Sequence, residues 1–190
     1  MTMLKKRTFD AMEQQQLFEL MMHPDVFPYV RHKAYSLEEF YGVTEEIVSA
    51  EARGELLSRV IYDDEARIAG TINLFDITQN TGFLATWLGK PFQGKGINQR
   101  AKLAFLEEVF TTTSIDTVLM CIRHTNIRSQ KAAAKLPYVV PASAASWDIF
   151  KTVKADSHDF VLLEIPKHLF MHDVAMTSVE MAPQQTAVLS

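Results

Sequence analysis

Cysteine is almost absent from this chain. Of 190 residues one is cysteine, Cys121, which excludes an intramolecular disulfide and a cysteine-rich zinc site. The same scarcity suits a reducing compartment, so a cytoplasmic location is the expectation. Long apolar runs are missing too. None approaches the ~18 residues of a membrane span. Lys5, Lys6 and Arg7 are followed by no apolar stretch, so a secretory signal is not expected. Glycine is sparse, seven residues in all, and none follows Gly96. Yet Gly89, Gly94 and Gly96 are crowded into one short stretch.

What is present is ordinary globular composition, 47% hydrophobic and 22% charged. The length suits about one domain, with enough chain to bury a core without a disulfide or metal. Net charge is −4, which argues against a nucleic-acid partner. The charge is unevenly spread. From Gly89 to Lys135 there are eight basic and three acidic residues, a net +5, which leaves −9 elsewhere. A local positive field around the glycine cluster suggests a polyanionic ligand. The acidic balance elsewhere suits a cationic amine.

Neither repeats nor Gly/Ser linkers break the chain. Asp10 to Met22 reads as a helix ended by His23-Pro24. Ser36 to Ala52 reads as a second, opened by the capping box Ser36-Leu37-Glu38-Glu39. Strands are expected at 57–62, 67–75 and 82–88, a helix at 97–110, a strand at 115–122, a helix at 126–136 and a strand at 160–165. Such an order predicts an α/β mixed sheet with helices on both faces. The part after Pro166 shows no clear period. We therefore place one domain at 1–168 and a loosely ordered tail at 169–190.

The stretch Trp87-Leu88-Gly89-Lys90-Pro91-Phe92-Gln93-Gly94-Lys95-Gly96-Ile97-Asn98 joins a strand to a helix. Amides at a helix N-terminus lack partners and attract anions. Glycines let that backbone approach a phosphate. A dinucleotide fingerprint needs a third glycine where Gln99 stands. A P-loop needs Ser or Thr where Gly96 stands, and Pro91 removes a donor.

A third pattern fits better. Gln93-Gly94-Lys95-Gly96-Ile97-Asn98 resembles the Gln/Arg-x-x-Gly-x-Gly/Ala signature of the GNAT superfamily of N-acetyltransferases. The longer stretch from Trp87, with Asn126-Ile127-Arg128-Ser129 and Lys135-Leu136-Pro137-Tyr138 downstream, is similar to the subgroup of ribosomal-protein N-terminal acetyltransferases. The resemblance spans roughly 4–166. It implies a central, mostly antiparallel twisted sheet flanked by helices on both faces. It also implies acetyl transfer from acetyl-CoA, as cosubstrate, to a primary amine by direct attack in a ternary complex. The acceptor would be a peptide N-terminus or a small amine. No membrane is implied, and a homodimer is compatible. Trp87 and Leu88 would pair with the pantetheine arm. Gln93, Gly94, Lys95, Gly96, Ile97 and Asn98 would cradle the pyrophosphate, and Asn126 would bond the arm.

Three positions depart from the pattern. Asn98 replaces Gly/Ala, Pro137 replaces Gly, and Ala133 stands where many members carry a tyrosine acid. Ser129 is a candidate donor to the leaving thiolate. For the base, Glu55, Asp63, Asp64 and Asp76 are equal candidates. Cys121 with His124 could form a covalent carrier, but an apolar strand more often holds a buried cysteine. His168 and His172 have the spacing of a metal pair without the Glu of a zinc protease, so no metal is expected. His158-Asp159 could help to shape an acceptor site. A non-catalytic acyl-CoA sensor or partner-binding module on the same fold, and a nucleotide-binding protein, stay open as alternatives.

Overall fold

A computed structural model describes residues 3–154 and 159–180. Strand β1 (Met3–Lys6) leads into helix α1 (Ala11–Met21), and helix α2 is Leu37–Ala52. Strands β2 (Leu57–Tyr62), β3 (Ile68–Thr78) and β4 (Thr81–Leu88) precede helix α3 (Ile97–Thr112). Strand β5 (Thr117–Arg123), helix α4 (Ile127–Ala133), strand β6 (Val140–Pro141), helix α5 (Ala144–Val153), strand β7 (Phe160–Pro166) and helix α6 (Lys167–Glu180) complete the order.

Side-chain chemistry sets the helix starts. Asp10 accepts from the Glu13 amide at the start of α1. Ser36 accepts from the Glu39 amide at 3.1 Å, and the Glu39 carboxylate reaches back to the Tyr35 amide at 2.7 Å. The reciprocal cap therefore forms one residue earlier than the simple capping box has it.

The sheet order is β1-β2-β3-β4-β5-β7-β6. All neighbours are antiparallel except β4 and β5, which run parallel. Alternation along the strands separates two layers. Ile61 and Ile72 face α3, α4 and α6, joining Phe105, Ala133 and Phe170 in one core. Val60 faces the opposite way, toward Leu17 and Met21 of α1 and Phe40 of α2. Phe83 and Leu119 meet Phe150 of α5 on that same side.

Some elements differ from the sequence expectation. The helix expected at 126–136 ends at Ala133. Leu136-Pro137-Tyr138-Val139 then turns, with the Val139 amide donating to the Leu136 carbonyl at 3.1 Å. Proline suits the second position of such a turn, so the Pro137 departure has a local explanation. Strands β1 and β6 and helix α5 were not expected. The boundary placed at 168/169 falls inside α6, whose Phe170 is fully buried.

Candidate functional site

Strands β4 and β5 begin as neighbours and then part. Their pairing runs from Thr81 with Thr117 to Leu84 with Met120. Beyond that, Ala85–Leu88 pair only with β3, and Cys121–Arg123 pair only with β7. A gap thus opens between the two strand ends. Main-chain donors and acceptors on the facing edges are left for another partner.

The glycine loop closes one end of this gap. Residues Lys90–Phe92 form a 3-10 turn, and the Gly89 amide donates to the Ala69 carbonyl at 2.8 Å. Gly94 and Gly96 have φ of +77° and +74°, a conformation glycine adopts without Cβ strain. Gly96 is the N-cap of α3 and supplies no side-chain cap. The first amides of α3 therefore stay open, with the positive end of the helix dipole behind them.

A chain of bonds holds α4 against this loop. Arg128 Nη1 donates to Gln93 Oε1 at 3.0 Å, and Gln93 Nε2 donates to the Leu88 carbonyl at 3.0 Å. Asn126 caps α4, its Oδ1 accepting from the Ser129 amide at 3.1 Å. So Leu88, Gln93, Gly94, Gly96, Asn126 and Ser129 come together around one gap. Lys95 is exposed, Ile97 is buried in the core, and Ala133 is packed into the core.

Two buried side-chain oxygens on the elements that flank the gap have no partner among the described residues. They are Thr86 Oγ1 on β4 and Asn98 Oδ1 in the first turn of α3. A neutral amide oxygen and a hydroxyl suit the amide and hydroxyl groups of a pantetheine arm. The open amides of α3 suit its pyrophosphate. The residues present therefore fit acetyl-CoA.

On the other side of the sheet lies a cleft. Its floor is Thr71, Asn73, Ala85 and Trp87, and its walls include Phe40 of α2 and the segment Tyr29–His32. Trp87 is half-buried, packed against the α1 core while lining this cleft. Asn73 is fixed by Ser58, whose hydroxyl donates to Oδ1, and donates in turn to Thr71 Oγ1 at 3.2 Å. Arg7 and His32 also line the cleft. The His32 imidazole sits below its ordinary pKa, chiefly because it is partly buried and then because Arg31 is near.

The four carboxylates named as candidate bases do not line the cleft. Glu55 is exposed and paired with Arg53 at 2.8 Å. Asp63 caps the β2–β3 turn, accepting from the Arg67 amide at 2.9 Å. Asp64 lies 3.4 Å from Arg100. Asp76 is nearest, as the ion-pair partner of the cleft residue Arg31. Cys121 is half-buried and its thiol is pushed up by burial, with the Lys154 ammonium 3.9 Å away. Such a thiol is less ionised than an acyl carrier needs. His168 and His172 are exposed on α6. Of the pair His158-Asp159, the first lies outside the described residues, and the Asp159 carbonyl accepts from the His124 amide at 2.9 Å.

Sequence reasoning missed Arg7 and His32. Neither sits in a motif, and both come from irregular segments far from β4 in the chain. Arg7 alone gave a signal, as a basic residue just before the α1 cap.

A parting of two parallel strands beside an uncapped, glycine-started helix defines an acetyltransferase-type fold. A family model described as an acetyltransferase (GNAT) domain matches residues 6–138, and the chain belongs to that family, whose members use acetyl-CoA as cosubstrate. Solved structures share the fold. A ribosomal-protein-S5-alanine acetyltransferase from Vibrio fischeri is 18% identical, with TM-score 0.67 over 87% of this chain and 93% of that one. A spermidine N-acetyltransferase chimera of Vibrio cholerae SpeG and hSSAT is 14% identical, with TM-score 0.69 over 90% and 98%. FdhC, a nucleotide-linked sugar GNAT, is 14% identical, with TM-score 0.70 over 93% of each. No curated protein shows significant similarity to the chain.

Proposed function

We propose that the protein transfers an acetyl group from acetyl-CoA to a primary amine by direct attack in a ternary complex. The observation that carries this reading is the gap between β4 and β5, ending at the uncapped start of α3. Acetyl-CoA supplies a thioester carbonyl at that gap. Amides from Gln93 to Asn98 hold its pyrophosphate, and the unpaired edge of Ala85–Leu88 holds its arm, with Asn126 across the gap. A main-chain amide of β4 near Trp87 donates to the carbonyl oxygen as negative charge builds there.

The amine enters from the cleft side, where Trp87 lines both spaces. An ammonium cannot attack, so a proton must leave first. His32 is the cleft residue suited to this, because burial and the nearby Arg31 favour its neutral imidazole. An imidazole nitrogen of His32 takes the proton, directly or through water. The amine nitrogen then bonds to the carbonyl carbon and the carbon–sulfur bond breaks. The attacking nitrogen gives up its second proton as that bond breaks, and we assign relay of this proton to the departing sulfur to the Ser129 hydroxyl, which passes one proton on as it accepts the other, on the turn that Arg128 ties to the loop. The products are an N-acetyl amine and free CoA thiol.

Two measurements test the reading. Acetyl-CoA at about 100 times Kd stabilises the native state by about 2.7 kcal/mol. That corresponds to a Tm rise of roughly 5–10 °C for a chain of this size. ATP with magnesium should shift Tm far less, and an equal or larger shift refutes the assignment. Thiol release with an amine panel then separates an enzyme from an acyl-CoA sensor, which would bind without release.

A further inference from the structure

We infer that the acceptor is a primary amine that also carries a carboxylate, and that Arg7 reads this carboxylate from the wall of the cleft. The inference rests on the acetyl-transfer reading above and names its substrate class. Arg7 is only 7% exposed and lines the cleft that reaches Ala85 and Trp87. Its Nη2 donates to a neutral oxygen, Thr44 Oγ1, at 2.7 Å, and the guanidinium carbon lies 4.9 Å from the centre of the Phe40 ring. Its Nε is buried with no partner among the described residues.

A buried cation left in this state is costly unless an anion joins it. The acid whose charge acts on it, Glu13, is already engaged. Its Oε1 accepts from the Thr8 amide and hydroxyl at 3.0 and 3.1 Å, and its Oε2 accepts from the Tyr62 hydroxyl at 3.0 Å. Glu13 therefore lends Arg7 a field but no hydrogen bond. Burial pulls the Arg7 pKa down to about 10, so the guanidinium remains charged at neutral pH.

The charges around the cleft point the same way. Among the described residues no carboxylate lines it. Lys33 is close enough to Arg123 to feel its charge, and Arg31 and Lys154 both act on Cys121 at the open end of β5. A polycation would meet repulsion from these groups, and of the two acids that act on His32, Asp76 is already paired with Arg31 and Glu46 does not line the cleft. An amine with a carboxylate places its anion on Arg7 and its nitrogen toward β4. A guanidinium makes a charge-assisted, directional bond to such a group.

Thiol release by the full chain, at saturating acetyl-CoA, tests this with matched acceptors. Glycine is compared with glycinamide, and glycylglutamate amide with glycylglutamine amide. Spermidine is the polycation. The expected result is kcat/KM at least about 10-fold higher for the carboxylate member of one pair. The first pair responds if a free α-carboxylate is read, the second if the carboxylate is a peptide side chain. Arg7→Met should collapse that ratio toward one through KM while the acetyl-CoA shift in Tm persists. Neutral amines or spermidine used equally well overturn the inference. So does an Arg7→Met variant that slows every amine alike, which would make Arg7 structural. The wild-type ratio stands even if that variant fails to fold. If acetyl-CoA binds but no thiol appears, calorimetry with N-acetylglycine and N-acetylglycinamide on the CoA-loaded protein decides. Preference for the carboxylate supports the inference, and equal or absent binding overturns it. If acetyl-CoA does not bind, the transfer reading fails by itself, and the same titration without CoA judges the Arg7 site.

Discussion

Asn126 holds two jobs that substitution can separate. Its Oδ1 accepts from the Ser129 amide at 3.1 Å and caps the seven-residue helix α4. Its NH2 group is the donor we assign to acetyl-CoA. In Asn126→Ala both are lost. Removing an N-cap costs about 1 kcal/mol, and a chain of this size loses roughly 2–4 °C of Tm per kcal/mol. The unliganded variant should therefore melt about 2–4 °C lower. Asn126→Asp keeps an oxygen at the cap and adds a negative charge at the helix start, worth about 0.3–1 kcal/mol there. Its Tm should match or exceed that of the wild type. It lacks the NH2 donor, however, and one lost neutral hydrogen bond of about 0.5–1.5 kcal/mol weakens acetyl-CoA roughly 2- to 12-fold.

Thermal melts without ligand, followed by acetyl-CoA titration, read both effects on the same samples. The discriminating variant is Asp, because it moves affinity without moving stability. If Asp keeps its affinity within about two-fold, Asn126 is a cap alone and its place in the binding site is wrong. If Ala melts with the wild type, the cap itself carries no stability. In that event the bonds from Arg128 to Gln93 and from Gln93 to Leu88 hold α4 in place without it.

Three further outcomes follow from the structure. A Cβ at Gly96 would meet only Arg100 Nη1, at 3.4 Å, so Gly96→Ala should cost the left-handed backbone alone, about 1–2 kcal/mol. Gly96→Asn should lose less in the same melts, and an alanine variant as stable as the wild type refutes the argument. The His32 imidazole is held below the ordinary 6.5 by burial and Arg31, opposed by Glu46 and Asp76, with Arg7 lowering it further. A base works while unprotonated, so kcat/KM should fall as pH drops through that lowered value. The acid limb should vanish in His32→Gln, and its persistence would remove His32 from proton transfer. Phe170 is fully buried, with ring centres 5.4 Å from Phe110 and 5.0 Å from Tyr138. Phe170→Ala should cost about 3–5 kcal/mol, read as a lower urea midpoint at unchanged slope. A loss under about 1 kcal/mol would place α6 outside the cooperative core.

Elements with a strong local cause were legible in the sequence. Strand β2 has the expected ends, Leu57 and Tyr62, α2 starts at the expected Ser36 cap, and α1 lies within the expected 10–22. The glycine loop was legible because positive φ at Gly94 and Gly96 favours glycine through the local backbone alone. Elements held by neighbours were not. Strand β1 shows no alternation, since three of its four residues are exposed. Strand β6 is two residues that exist only by pairing with Leu163 and Glu164 of β7. Helix α6 buries Phe170 alone among its described residues and so shows no stripe. Helix α5 did carry a signal, the Ser143 cap ahead of Trp147 and Phe150, and attention to that cap would have found it.

On the acceptor side, the proposed Arg7 site departs from what a charge sum suggests. Outside the glycine segment the chain is strongly acidic, which on its own favours a cationic acceptor. Yet several of those acids are spent locally. Glu51 pairs with Arg59, Glu55 with Arg53, Asp63 with Arg67, Asp76 with Arg31 and Asp25 with Lys90. A surface carboxylate more than a Debye length from the cleft, about 8–10 Å, is screened there in any case. Arg7 is not screened, because it is buried. A buried, under-partnered cation sets the local field more strongly than many solvated acids around it. On the proposed reading, the sign of the acceptor follows from which charges lack partners inside the cleft, a property of packing between β1, α2 and β4 that a sum over the sequence does not contain.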